Sequence, residues 1–581
     1  MAHPPQESND PSPRAEQEAV PRGRRRLSPR VLAGSSAALV LLVAAGFAGV
    51  SVLANDDQAN QTTDISTPPP VVEATPPPAI TSEPSPSSTP TDPLPPPPAV
   101  FYQQAGPPPG SPLEAVEPMS IEVSSKQTGT VLPTGLVGIS LEATDLANPQ
   151  LSGDNAEIVA SLTGLGKPML RFGGNAVDRR FFWTSTGEPT PSNLSGDKAH
   201  PVRAVGPADL ERVNTLLEST DATVSLTVDL AHFDPARAAD MAKHATTIFG
   251  DRLVGITAGN EPNGYPSTGL RADDWGVDEY IGELKQYADA MYAVAPDVPI
   301  VGPGTYSESW WEPFAQADLP QEKILSFHHY PLSQCDGAED PLGEPIMENL
   351  MAAPIHDRAQ DYRLQAMAPA NAAGLNTWIP ETGISACPGS NETTETHASA
   401  LWTVDYALSA AKLGIPRLSF HSSLITCQGG PPMSSICTGG AYLQPDGTFY
   451  ERANWYGQSL VAEMAEGWFL ESSQSGGGLA YSYAVQHDDG SVSVILVNEN
   501  NPETAAQSDV TISLPDGART GVMSQMHGPS YGAQNETLID GRAAPPIPAA
   551  ERASIPGFVP GTTEVSLPVT AGTATVFTFT F

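Results

Sequence analysis

The stretch Leu253-Val-Gly-Ile-Thr-Ala-Gly-Asn-Glu-Pro-Asn263 changes character in its middle, where a run of small and apolar residues from Leu253 to Ala258 gives way to Gly-Asn-Glu-Pro-Asn. An apolar run this short, closed by Gly and Pro, reads as a strand buried on both faces, the kind that parallel sheets use. Polar residues crowded onto the C-terminal end of such a strand are where parallel barrels carry their chemistry.

Working outward, seven more runs of the same kind precede or follow it: Val137 to Glu142, Pro168 to Phe172, Thr223 to Asp229, Pro299 to Val301, Ile324 to His328, Asn376 to Pro380 and Arg417 to Phe420. Between them the spacing predicts helices over Pro207 to Glu218, Pro235 to Phe249, Val277 to Ala295, Met347 to Ala368 and Thr396 to Leu413. Eight strands joined by helical crossovers predict an α/β fold, a (β/α)8 TIM barrel over residues 113–454. A doubly wound sheet is the competing fold, but no glycine-rich phosphate loop follows the first strand.

Beyond Glu471 the helical period gives way to β-rich runs such as Leu479 to Gln486, Ser491 to Asn498, Asp509 to Leu514 and Thr573 to Phe581. They predict an antiparallel β-sandwich over residues 455–581, completed by an early strand at 119–124.

The N-terminal hundred residues have another composition. Residues 1–30 hold six arginines against four acids, and Val31 to Ala54 contains no charge. The expectation is a basic cytoplasmic tail, a membrane anchor over 31–54 and everything beyond it outside the cell. A cleaved signal segment is the alternative, since Val52-Leu-Ala54 resembles a cleavage site. The proline-rich residues 55–112 would then be an extended spacer.

The formal net charge of −38 makes nucleic acid a poor partner. All four cysteines lie in the exported part, in no zinc-like spacing. Cys335 and Cys387 follow the sixth and seventh strands and Cys427 and Cys437 share the loop after the eighth, so the expected disulfides are Cys335–Cys387 and Cys427–Cys437.

Glu261 and Glu381 end the fourth and seventh strands, across the barrel mouth from each other. Retaining glycosidases need two carboxyls about 5–5.5 Å apart, one giving a proton to the leaving oxygen and one attacking the sugar carbon. His328 and His329 could suggest a metal, but neighbours on a strand face opposite ways and no third ligand is spaced with them, so neither metal nor cofactor is expected. The expected partner is an oligo- or polysaccharide; the oligomeric state stays open.

Four segments, Leu170-Arg-Phe-Gly-Gly-Asn-Ala-Val-Asp178, Gly259-Asn-Glu-Pro-Asn263, His328-His-Tyr-Pro-Leu332 and Pro380-Glu-Thr-Gly383, resemble those of glycoside hydrolase family 79, the heparanase and β-glucuronidase family. The likeness runs from about Ser120 to the C-terminus. It implies a retaining mechanism with Glu261 as acid/base and Glu381 as nucleophile. It also implies sugar contacts from Glu142, Asn175, Asn260, Tyr330, His421 and Tyr442, with Arg171 and His329 supporting them from behind.

The chain departs from the family where a tyrosine that grips the sugar carboxylate gives way to Cys387. A neutral-sugar enzyme of the same clan, of the xylosidase or arabinofuranosidase type, is therefore kept as an alternative. So is a tethered, non-catalytic glycan-binding protein.

Overall fold

The computed structural model describes residues 112–335, 340–387, 391–424, 427, 435–441, 444–543 and 551–581. The tail, the candidate anchor 31–54, most of the spacer and Tyr442 lie outside the described residues. Among the described residues no helix is long and apolar enough to cross a membrane.

Eight parallel strands close into a barrel: β1 Val137–Glu142, β2 Met169–Gly173, β3 Thr223–Val228, β4 Leu253–Ala258, β5 Ile300–Thr305, β6 Lys323–His329, β7 Asn376–Thr382 and β8 Leu418–His421. Each predicted strand is present, and β8 pairs with β1 to shut the ring, with Leu418 opposite Val137. The sequence ended three of them early. β5 runs on to Thr305, β6 to His329 and β7 to Thr382, because their polar ends still pair: Thr382 lies opposite His329 and its Oγ1 donates to the His329 carbonyl at 2.7 Å.

The crossovers include α1 Ala156–Thr163, α2 Pro207–Thr220, α3 Pro235–Phe249, α4 Val277–Tyr292, α5 Trp311–Gln316, α6 Met347–Leu350, α7 Ala353–Ala373 and α8 His397–Leu413. The helix expected over Met347 to Ala368 is two, broken at Met351–Ala352 just ahead of Pro354, which sits in the first turn of the new helix where its missing N–H costs nothing. That helix passes Pro369 and stops at Gly374, which takes the left-handed conformation (φ 70°) of a helix C-cap. α1 and α5 are too short to show a helical period.

The C-terminal sheet contains Gly467–Ser475, Ala480–His487, Val492–Asn498, Ser508–Ala518, Thr520–His527, Thr562–Val569 and Thr573–Thr580. The early strand, Met119–Leu132, slots between Gly467–Ser475 and Ser508–Ala518, antiparallel to the first and parallel to the second. Val492–Asn498 is buried at every position. Ile495 and Val497 face the core shared with the barrel, while Val494 and Leu496 face the core inside the sandwich. A strand covered on both faces gains from a continuous apolar run, which is what the sequence supplies. α8, wedged between barrel and sheet, is buried almost all round for the same reason.

Both expected disulfides are present, Cys335–Cys387 and Cys427–Cys437. They tie the loop after β6 to the loop after β7, and close the loop after β8 on itself.

Candidate active site

The C-terminal ends of β1, β2, β4, β6, β7 and β8 converge on one cluster of buried polar side chains. Its centre is Arg171 on β2, 1% exposed. Arg171 donates through Nη1 to Glu381 Oε2 at 2.5 Å and to Ser140 Oγ at 3.1 Å, and through Nη2 to Asn260 Oδ1 at 2.7 Å. One guanidinium thus aligns the carboxylate from β7 with the amide after β4, using the fixed geometry of its N–H groups. The glycines that follow make room for it. A Cβ on Gly173 would sit 2.2 Å from the Arg171 guanidinium carbon, and one on Gly174 (φ 65°) would sit 2.7 Å from the Glu142 carboxylate.

Glu381 is 6% exposed and accepts a hydrogen bond from Tyr330 through Oε1 at 3.0 Å. Burial alone would raise its pKa, but His328, His421 and Arg171, together with the Tyr330 bond, hold it well below the usual carboxylate range. The Tyr330 phenol is pushed far up by burial and by the charges of Glu381 and Glu261, so it stays protonated and donates.

Glu261 lies opposite, half-buried, in the left-handed backbone region (φ 49°, ψ 53°). Its N–H donates to the Gly304 carbonyl at 3.1 Å, and its Oε1 lies 2.9 Å from His328 Nδ1. A non-glycine residue held there costs about 1–3 kcal/mol and persists because its surroundings over-determine it. From there the side chain reaches across the mouth to His328 on β6. Asn260, one residue earlier, is 3% exposed; its N–H donates to Asp178 at 2.9 Å and its Nδ2 has no partner among the described residues.

Other expected residues fall around this centre. Glu142 accepts from the Ala176 N–H at 2.6 Å, with Arg180 at 3.7 Å and His421 at 3.8 Å. His421 Nδ1 lies 3.2 Å from Ser140 Oγ, which links it to Arg171. Asn175 is exposed on the turn after β2.

His329 corrects one expectation. It points out of the barrel, stacked on Tyr362 and Tyr406 with Nδ1 2.9 Å from the Tyr406 hydroxyl, and burial holds it neutral with a pKa of about 3. His328 takes the inward place, because successive strand residues face opposite ways and His328 shares its face with Tyr330. Ser140 and Asp178 also escaped the sequence reading. Asp178 caps three backbone N–H groups, of Leu230, Ala231 and Asn260, which belong to loops that meet only in the closed barrel.

His328 also acquires in space the ligand neighbours it lacked in sequence: one donor atom each from Glu261, His328 and Glu381 lie within 4.8 Å of one another. That spacing would suit a metal. Arg171, however, already sets a cation on Glu381 Oε2, and a divalent ion in the same place would face a guanidinium.

The barrel, with a β-sandwich folded onto it, carries two glutamates at the ends of β4 and β7. No protein-family model matches the chain, and no curated protein matches it in sequence. Solved structures do match. The 4-O-α-L-rhamnosyl-β-D-glucuronidase of Fusarium oxysporum 12S aligns with TM-score 0.58 and 16% identity over 79% of this chain and 100% of that one. The α-L-arabinofuranosidase of Thermotoga maritima gives 0.56 and 13% over 79% and 99%. The GH51 arabinofuranosidase of Xanthomonas axonopodis pv. citri gives 0.57 and 13% over 80% and 100%. At such identities the likeness is one of fold and assigns no family.

Proposed function

We propose that the protein is a retaining glycoside hydrolase acting on glycans outside the cytoplasm, with Glu381 as nucleophile and Glu261 as acid/base. The observation that carries this reading is the approach of a Glu261 oxygen and a Glu381 oxygen to within 4.8 Å. Retaining enzymes hold their carboxyl groups about 5–5.5 Å apart, whereas inverting ones leave about 6.5–9.5 Å for a water. Arg171 and Tyr330 keep Glu381 ionised and aimed, as a nucleophile requires. Glu261 protonates the leaving oxygen. Once Glu381 carries the sugar its charge is gone, and Glu261, relieved of a neighbouring anion, activates water. Asn260, whose amide N–H pair has no partner among the described residues, binds a sugar hydroxyl beside the acid on this reading. A non-catalytic binding protein would have no use for this charge arrangement.

The motif resemblance and the Fusarium neighbour favour a β-glucuronide as substrate. One observation favours a neutral sugar instead: Cys387, where the family's tyrosine would fall, is bonded to Cys335 and cannot donate to a sugar carboxylate. Two disulfides support an oxidising compartment, hence export. The test is a panel of aryl glycosides (β-glucuronide, β-xyloside, α-L-arabinofuranoside, β-glucoside) with NMR of the first-released anomer. Retention on any of them supports the mechanism, the preferred sugar decides specificity, and inversion or no hydrolysis refutes it.

A further inference from the structure

A cavity of about 370 Å³ opens beside the catalytic cluster, within the range of small-molecule sites. None of its lining residues belongs to that cluster. Its walls are the segment 181–194 after β2, the end of β3 at Val228 and Asp229, and the first turns of α3, so it lies on the same face of the barrel as Glu261. β3 and β4 are neighbours with Val228 opposite Ala258, three residues before Glu261. Asp178 fastens the two regions together, since it holds the N–H groups of Leu230 and Ala231 behind the cavity wall and that of Asn260 at the catalytic site.

The lining has two characters. Phe181, Phe182, Pro189 and Leu194 give an apolar side. The polar side is rich in acceptors held in place. Asp229 Oδ2 lies 2.7 Å from His232 Nδ1, and Glu188 takes hydrogen bonds from Thr184 at 2.6 Å and Arg237 at 2.8 Å. Arg237 is further engaged by Asp234, by the Trp183 carbonyl and by the face of Phe182, 4.5 Å away. Its charge is spent inside the wall. Three carboxylates, Glu188, Asp229 and Asp234, thus stand against one guanidinium and one imidazole. An anionic ligand meets net repulsion here. A ligand with one apolar face and many hydroxyl donors meets a match.

We propose that this cavity is a remote sugar-binding subsite that takes a neutral, non-uronate residue of the substrate glycan. The inference rests on the glycosidase reading, which it deepens: the enzyme would favour chains over simple glycosides, with a neutral sugar some residues from the scissile bond.

The test separates binding from turnover. Glu381→Gln protein is titrated calorimetrically with cellotetraose, xylotetraose, α-1,5-arabinotetraose and, as the charged control, tetragalacturonate, and the titrations are repeated with Asn193→Trp or Leu194→Trp added to fill the cavity mouth. Asn193 is exposed, so its replacement leaves folding untouched should Leu194→Trp disturb it. At least one neutral tetramer should bind and lose tenfold or more in affinity on filling, while the active protein with Asn193→Trp keeps its kcat/KM on an aryl monoglycoside within twofold. No neutral binding, unchanged affinity in the folded filled variant, or preference for the uronate overturns the proposal. An enzyme inactive on every aryl glycoside would refute the function above, and the Glu381→Gln titrations would still decide the cavity.

Discussion

The imidazole of His328 bridges the two glutamates, with Nδ1 2.9 Å from Glu261 Oε1 and 3.7 Å from Glu381 Oε2. Its Nε2 is buried with no partner among the described residues, so the ring's hydrogen bonding is directed at the carboxylates. His328→Ala removes a bond to a charged group worth about 1.5–3 kcal/mol, which predicts a fall in kcat of about 10–100-fold. If the ring works through Glu261, the loss is larger on glycosides with poor leaving groups; equal losses across a leaving-group series would contradict that.

The proposed catalytic pair makes the sharpest prediction. Glu381→Gln should abolish turnover and lower stability by about 1–3 kcal/mol, because buried Arg171 loses its ionised partner but keeps Ser140 and Asn260. Glu261→Ala should cost about 10²–10⁴-fold on poor leaving groups. With a dinitrophenyl glycoside it should accumulate the covalent intermediate, and azide should restore turnover as a glycosyl azide of retained configuration. Near-normal activity in Glu381→Gln would end the assignment.

Tyr330→Phe deletes one of the interactions that hold the Glu381 pKa down. Burial, which pushes the other way, is then less opposed, so the acidic limb of the kcat/KM profile should move to higher pH. The rate at the optimum should drop about 10–100-fold, the worth of a hydrogen bond to a charged group. An unshifted limb would show that Tyr330 does not tune Glu381.

Buried titratable groups should make stability depend on pH. Burial raises Asp145, Asp178 and Glu463 each to about 7, with Glu142 adding to the first and Asp229 to the second. A carboxyl that holds its proton more tightly when folded stabilises most below its unfolded value near 4, and that contribution is lost as pH rises to about 7. Glu381, depressed instead, contributes above about pH 4 and loses its share only in stronger acid. Buried His329, His397 and His527, held down to about 3 to 4, act in the opposite sense below about pH 6.5. The prediction is therefore differential: the urea midpoint of Asp178→Asn should fall less than that of the unmodified protein between pH 5 and pH 8. The same pH dependence in Asp178→Asn as in the unmodified protein would contradict the prediction.

Export is checked by fractionation. If 31–54 is an anchor, full-length chain stays with membranes after a carbonate wash and is open to protease from outside. Mature protein beginning near Asn55 in the medium would show cleavage instead, and a cytoplasmic pool with reduced cysteines would refute export altogether.

How much of this could be read from the sequence depends on whether the signal was local. The strands were legible because each is an apolar run too short for a helix, and Glu261 and Glu381 because they sit on the ends of two of them. The ends of β5, β6 and β7 were not, since polar residues such as His329 and Thr382 carry on pairing with no hydrophobic mark. Ser140, Asp178 and the inward role of His328 depend on partners from other strands, so they emerge only when the barrel closes. The alternation of β6 did hold one clue, for it sets His328 on the face of Tyr330 and His329 on the other.

With Glu261 as the proposed acid, its left-handed backbone puts durability and catalysis at odds at a single position. Glycine would occupy that conformation without the steric penalty a glutamate bears. A library sorted by heat resistance alone would therefore enrich Glu261→Gly and discard the acid, yielding robust, well-folded and inert protein. Any programme to toughen this protein has to select for the proposed turnover at the same time, or hold residue 261 fixed.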